Sequence, residues 1–426
     1  MVRAVPVALL LLALLGAGSP PASGGALWSR LWECRLGGRG GARGTIVDLD
    51  GDGRPEVVVS KYHRETGGSV SVIDGRSGRI LWSRAVDRAP AVVVDLDDDG
   101  APEVVVVSGG GLDVLAGSDG GRVASVETRG VAGALAAGDL DGDGRPEILC
   151  ATGIEADDTL VALSGTALDV AWRRRAAGGD GPFDDGFTRV ACADVDGNGA
   201  DEVLVVENRN RLVCMGADGS EIWAAELGEK SRLRPHGVVS SEPRLFALGE
   251  SFRGVAVGCF AGALIVCDAA TGEIVGRSLH GAEAHAARLG RRRLPLFIAR
   301  ALRETGEPVN EIRSLGETLV FGCSDGKLYA VRAADQSVSW SFDCEGTVYE
   351  PCVPVDVGAP GVRAILAWDE RRVYLLDAAS GSVIPSVSGP ASGASAILVG
   401  DLDGIGDAEV VIVDVAGREV TAWSLR

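Results

Sequence analysis

Apolar residues come along this chain in short runs separated by turn-forming residues, and two arrangements of them recur. In the first, a β-branched run directly follows an acidic string: VVVS at 57–60, VVVVS at 104–108, ILCA at 148–151, VLVV at 203–206 and VVIV at 410–413. Runs this short, with no polar alternation, predict strands buried on both faces. In the second, two runs flank a turn rich in Asp, Ser and Gly, and the later run often carries a Trp. Examples are SVSVIDGRSGRILWSR (69–84), LVALSGTALDVAWRR (160–174), LVCMGADGSEIWAAE (212–226), LIVCDAATGEIVGRS (264–278), LYAVRAADQSVSWSF (328–342) and VYLLDAASGSVIPSV (373–387), with a weaker copy at 112–127. Turn chemistry and alternation make these β-hairpins.

One strand before the acidic string, one after it and the two of the hairpin make a four-stranded unit. Units begin near residues 43, 90, 131, 188, 237, 283, 347 and 394, a period that predicts propeller blades. The expected fold is therefore all-β, an eight-bladed β-propeller forming one domain over 26–426. Units near 237, 283 and 347 keep the hairpin but lack the acidic string. The last unit stops after three strands, and WSRLWECRL at 28–36 matches the missing outermost one. An N-terminal strand completing the final blade would close the ring and remove two open sheet edges.

The acidic strings are DLDGDGRPE (48–56), DLDDDGAPE (95–103), DLDGDGRPE (139–147), DVDGNGADE (194–202) and DLDGIGDAE (401–409). They carry 21 of the 60 acidic residues, leaving 39 against 41 Lys and Arg, so the net charge of −19 belongs to five loops and not to a general acidic surface. Acids at positions 1, 3 and 5 with Gly at 6 form the first half of a calcium loop, in which the position 7 carbonyl and a later carboxylate complete an all-oxygen shell. The ligands expected in the first loop are Asp48, Asp50, Asp52, the carbonyl of Arg54, and Glu56. In the second they are Asp95, Asp97, Asp99, Ala101 and Glu103, with Asp98 an extra like charge. The third offers Asp139, Asp141, Asp143, Arg145 and Glu147, and the fourth Asp194, Asp196, Asn198, Ala200 and Glu202. The fifth has Ile405 at position 5 and keeps Asp401, Asp403 and Glu409, with Asp407 as a substitute. Strands, not helices, flank each loop, which argues against an EF-hand. For any single copy a plain Asp/Gly turn between strands is the alternative.

These loops resemble the FG-GAP or VCBS repeats of integrin-like propellers, which bind calcium through DxDxDG loops. The hairpins resemble the repeats of pyrroloquinoline-quinone-type eight-bladed propellers, in which a Thr/Ser-Gly turn and a following Trp recur. Together the two resemblances span about residues 28–426. They imply calcium as the cofactor at the residues named above. The chain departs from the commoner loop by placing Glu at position 9, where a shorter Asp is usual.

The first residues, MVRAVPVALLLLALLGAGSPPASGGA, read as a signal peptide over 1–25, with cleavage between Ala22 and Ala26. The expected protein is secreted, extracellular or periplasmic, with no membrane span after cleavage. Its negative charge argues against nucleic acid, and the expected partner is a protein or glycan. The basic stretches 229–236 and 288–303 are either solvated insertions or a docking patch for an acidic surface.

No GxSxG, HExxH or GxxxxGK[ST] string occurs, and the adjacent Cys pair typical of quinone dehydrogenases is missing. Trp32, Trp82, Trp172, Trp223 and Trp340 occupy matching hairpin positions and are expected to pack between blades. His63, His236, His280 and His285 read as loop residues. The nine cysteines read mainly as small core residues, with Cys344 and Cys352 the one pair nominated for a disulfide. The functional expectation is a non-catalytic binding, adhesion or scaffold module. The alternative is a calcium-dependent carbohydrate-active enzyme such as a polysaccharide lyase.

Overall fold

The computed structural model describes residues 28–63, 65, 67–128, 131–152, 159–177, 186–208, 210–228, 239–249, 252–260, 262–280, 309–344, 346–348, 352–356, 363–369, 371–384, 393–414 and 416–425. Blade one shows the pattern. Its strands Gly41–Val47, Glu56–His63, Gly67–Asp74 and Ile80–Val86 pair antiparallel in chain order, innermost first. Blades two to six repeat this order over 88–127, 131–175, 187–226, 244–279 and 309–343.

The second strand of a blade is buried on both faces, which explains its unbroken apolar run. Val57 and Val59 pack against Val411 and Val413 of blade eight. Val58, between them, points the other way, into Val104 and Val106 of blade two. Eight apolar clusters of this kind span eight pairs of neighbouring blades, so the core is a ring of interfaces and the fold is an eight-bladed β-propeller. Each buried Val or Leu contributes roughly 1.5–3 kcal/mol.

The ring closes as the sequence predicts. Trp28–Arg35 pairs with Glu419–Leu425 as the outermost strand of blade eight, beside Glu409–Asp414 and Ala394–Gly400. Lys61 of blade one, only 5% exposed, reinforces the joint by donating to the carbonyls of Gly37 and Gly417. At the axis, the Arg43 guanidinium of blade one lies 3.4 Å from the Glu242 carboxylate of blade five. Those two blades are opposite one another in a ring of eight, so the pair crosses the channel.

The expected tryptophans do pack between blades, each by the same device. Nε1 of Trp82 donates to the Gly117 carbonyl of blade two at 2.7 Å, and the indole lies on Gly120. Trp172, Trp223 and Trp340 treat Ala217, Ala269 and Ala378 of their following blades the same way.

The innermost described strand of blade six is Val309–Leu315; residues 281–308, where that unit is expected to begin, lie outside the described residues. Among the described residues blade seven has three strands, Val353–Asp356, Arg363–Trp368 and Val373–Asp377. Its outer edge is marked by a bridge from Leu376 to Val383. The nominated disulfide is overturned: no two cysteines are joined. Cys344 and Cys352 instead pack as apolar side chains in the cluster between blades six and seven, and burial pushes both thiols up to about 12.

Candidate metal-binding loops

Each acidic loop is anchored at both ends before its acids are placed. The position 2 side chain (Leu49, Leu96, Leu140, Val195 or Leu402) is buried beneath the loop. Its amide donates to the position 9 glutamate at 2.8–3.0 Å in all five copies. This is what the longer Glu accomplishes: it reaches back across the loop and ties position 9 to position 2.

Between the anchors the backbone turns twice into the left-handed region, at positions 4 and 6. Gly51 and Gly53 have φ of 73° and 80°. In the second loop Asp98 occupies position 4 at φ 60°, a conformation that disfavours side chains, so its extra acid adds backbone strain as well as charge. The turns aim loop amides at the position 1 aspartate. Asp48 Oδ2 accepts from the Gly53 amide at 2.8 Å, and Asp95, Asp139, Asp194 and Asp401 receive the same bond from Gly100, Gly144, Gly199 and Gly406.

Carboxylate oxygens consequently converge within 4.8 Å of one another in every loop. The groups are Asp48, Asp50 and Glu56; Asp95, Asp97 and Asp99; Asp139, Asp141 and Glu147; Asp194, Asp196 and Glu202; and Asp401, Asp403 and Glu409. Position 5 stands outside four of these groups. Asp52, Asp143 and Asn198 instead accept the amides of Arg54, Arg145 and Ala200 at position 7. In loop two Asp99 belongs to the group and also accepts the Ala101 amide, while Glu103 stands outside it. In loop five the Ile405 side chain is 78% exposed, and Asp407 is not among the converging acids.

Electrostatics sharpen the point. Burial raises the Glu56 carboxyl to about 7, against the stabilising Leu49 amide and with further repulsion from Asp50, Asp48 and Asp52. Glu103, Glu147, Glu202 and Glu409 are raised for the same reasons. An all-oxygen donor set with mutually repelling charge fits a hard divalent cation such as calcium.

Ring closure decides how the loops are arranged together. Blade eight adjoins blade one, so the loops of blades eight, one, two, three and four form one continuous arc on a single face. Loops three and four touch: the Asp201 amide of loop four donates to the Asp139 carbonyl of loop three at 2.6 Å. The basic stretches 229–236 and 288–303, with His236 and His285, lie outside the described residues. His63 accepts the Glu65 amide at 3.3 Å, and His280 is buried. Two residues missed from the sequence stand beside the loops, Asp201 and Arg253. The signal for Asp201 was its place at position 8, where the first three loops have Pro55, Pro102 and Pro146.

Fold and loops together define an eight-bladed β-propeller with an acidic arc on one face. Comparison with known proteins bears out both repeat types. The FG-GAP-like repeat profile matches residues 95–150, and the profile described as outer membrane protein assembly factor BamB matches 138–342. No curated protein matches the chain. Among solved structures, BamB from Moraxella catarrhalis aligns with TM-score 0.56 and 17% identity over 93% of this chain and 99% of its own. The quinohemoprotein alcohol dehydrogenase ADHIIG from Pseudomonas putida HK5 aligns with TM-score 0.63 and 14% identity over 94% and 76%. Saccharomyces cerevisiae Sqt1 aligns with TM-score 0.62 and 12% identity over 92% and 97%. At these identities the likeness is one of fold.

Proposed function

We propose that this chain is an exported β-propeller whose acidic loops bind calcium structurally, and that it works as a non-catalytic binding or scaffold module for a protein or glycan. The observation that carries the calcium reading is the same convergence of three carboxylates in five consecutive blades. The residues that would hold the ion are the five converging groups, completed by position 7 carbonyls and, in loops one, three and four, by the position 5 oxygens of Asp52, Asp143 and Asn198. Calcium would supply charge neutralisation there, and each loop would then hold the start of its buried second strand.

The scaffold reading draws on the match to a profile named for an assembly factor. The axial Arg43–Glu242 pair adds to it, because a ligand seated on the axis at that level would have to displace the pair. Among the described residues no helix is long and apolar enough to cross a membrane. Export itself rests on the N-terminal residues of the sequence.

The deciding experiment is metal analysis of the purified chain, paired with thermal melts in calcium and in chelator. Three to five tightly held ions and a large upward shift in Tm are expected. Absence of both would end the calcium reading and return the loops to plain turns.

A further inference from the structure

Position 8 of each acidic string immediately precedes the second strand of its blade, in register with the positions that face the preceding blade. Val203 and Val205, which follow Asp201 on that side, pack into the cluster shared with blade three. Val255 and Val257 play the same part toward blade four, so Arg253 of blade five holds the place that Asp201 holds in blade four. Blade five has no acidic loop of its own, yet this side chain lies on the loop of its neighbour. Its Nη1 donates to the Asp194 carbonyl at 2.7 Å and stands 3.7 Å from the Asp194 carboxylate. The guanidinium covers Gly197, where an added Cβ would lie 3.0 Å from Nη2. Loop three meets the opposite charge at this place, because it faces Asp201, whose carboxyl is raised by burial and by Asp139 and Asp194.

Resting on the calcium reading, we propose that Arg253 is a tethered cation on the fourth loop, which makes that loop a weaker calcium site than the intact first and third loops and lets it keep its shape without metal. Three features act together. The fourth loop is already one charge short through Asn198. A fixed positive charge in contact with its position 1 residue opposes an incoming cation. The same guanidinium relieves repulsion among Asp194, Asp196 and Glu202 in the empty loop. Arg253 is partly exposed, so solvent screening holds its effect on affinity to about fivefold. The arc would then be uneven, with the fourth loop depending on metal much less than the first and third.

The test is calorimetric titration of calcium into metal-stripped wild type, Arg253→Gln and Arg253→Lys, with melts of each in chelator and in saturating calcium. Arg253→Gln is expected to tighten one site about fivefold and to lower Tm in chelator while leaving Tm in calcium nearly unchanged. Arg253→Lys retains the charge and is expected to leave that site as it is in wild type. If wild type binds calcium but no site tightens in Arg253→Gln, or Tm falls equally in both conditions, this inference is overturned and the calcium reading stands. If wild type binds no calcium, both fall together.

Discussion

Nε1 of Trp32 donates to the carbonyl of Gly75 at 2.7 Å, a bond that fastens the N-terminal strand, seated in blade eight, to the hairpin turn of blade one. The indole then lies flat on Gly78, where an added Cβ would come within 2.7 Å of the ring. Gly78 also has φ 72°, so two requirements meet at one residue: space for the ring, and a left-handed backbone.

Trp32→Ala should therefore open the ring at its seam, costing about 3–5 kcal/mol as a large buried aromatic is removed. Gly78→Ala should cost about 2–4 kcal/mol from strain and overpacking without touching the tryptophan. Denaturant midpoints would check both. A Gly78→Ala protein as stable as wild type would show that the turn yields easily and the indole is not tightly seated.

Among the described residues two interfaces have another residue at the tryptophan position, and each shows a compensating change. Gly276 stands at the Trp position of blade five, and an added Cβ there would fall 1.6 Å from Nε2 of Gln336 in the turn of blade six. Gln336 sits where other turns have Gly and keeps the same left-handed backbone, with φ 54°. Ala124 of blade two is matched in the same way by Leu168 of blade three, at φ 56° and buried. Gly276→Trp should thus be severely destabilising alone, and Gln336→Gly should rescue it. A double-mutant cycle is expected to give a coupling of at least about 1 kcal/mol. Additive effects would mean the two sites do not share the space.

Removing a carboxylate from an acidic loop should act with opposite sign in calcium and in chelator. Asp50→Asn deletes a ligand, so the variant should lose most of one site's contribution, about 2.7 kcal/mol at a hundredfold excess over Kd. In chelator it should be at least as stable as wild type, because Glu56 loses a repelling neighbour. Paired melts in the two conditions read this directly. An equal loss in both would point to the Asp50 hydrogen bond to the Asp52 amide as its whole role.

His280 supplies a pH dependence of defined sign. It is buried at the end of blade five, with Nε2 2.8 Å from the Ser278 hydroxyl and its ring against Phe321 and Tyr329. Burial lowers its pKa from 6.5 to about 4, opposed by Asp325. Because the folded value lies below the unfolded one, the unfolded chain takes the proton first. Stability present above pH 6.5 is then lost as the pH falls through the window toward 4, by at most about 3 kcal/mol. His280→Gln should flatten that part of the acid slope, which stability measurements between about pH 7 and 4.5 would show. Identical slopes would mean the imidazole is open to solvent.

The repeats were legible because they are made of local chemistry. An acidic loop needs Asp, Gly and an apolar anchor within nine positions, and a hairpin needs a turn between alternating runs. Both can be read along the chain, as can the missing strand of the last unit. The Cys344–Cys352 nomination failed for the opposite reason: closeness along the chain did not reveal that both thiols point into one apolar cluster as packing atoms.

By itself, then, the sequence determined the strands, the turns, the count of blades and the residues that could converge in each loop, since these depend on neighbours only a few positions away. Tertiary structure alone decided which groups meet across blades. It brought loop 401–409 beside loop 48–56, laid Trp32 on Gly78, matched Gln336 to Gly276 and set Arg253 against Asp194. Those contacts join segments far apart in the chain, and they exist because a ring of twisted sheets must bury both faces of every blade.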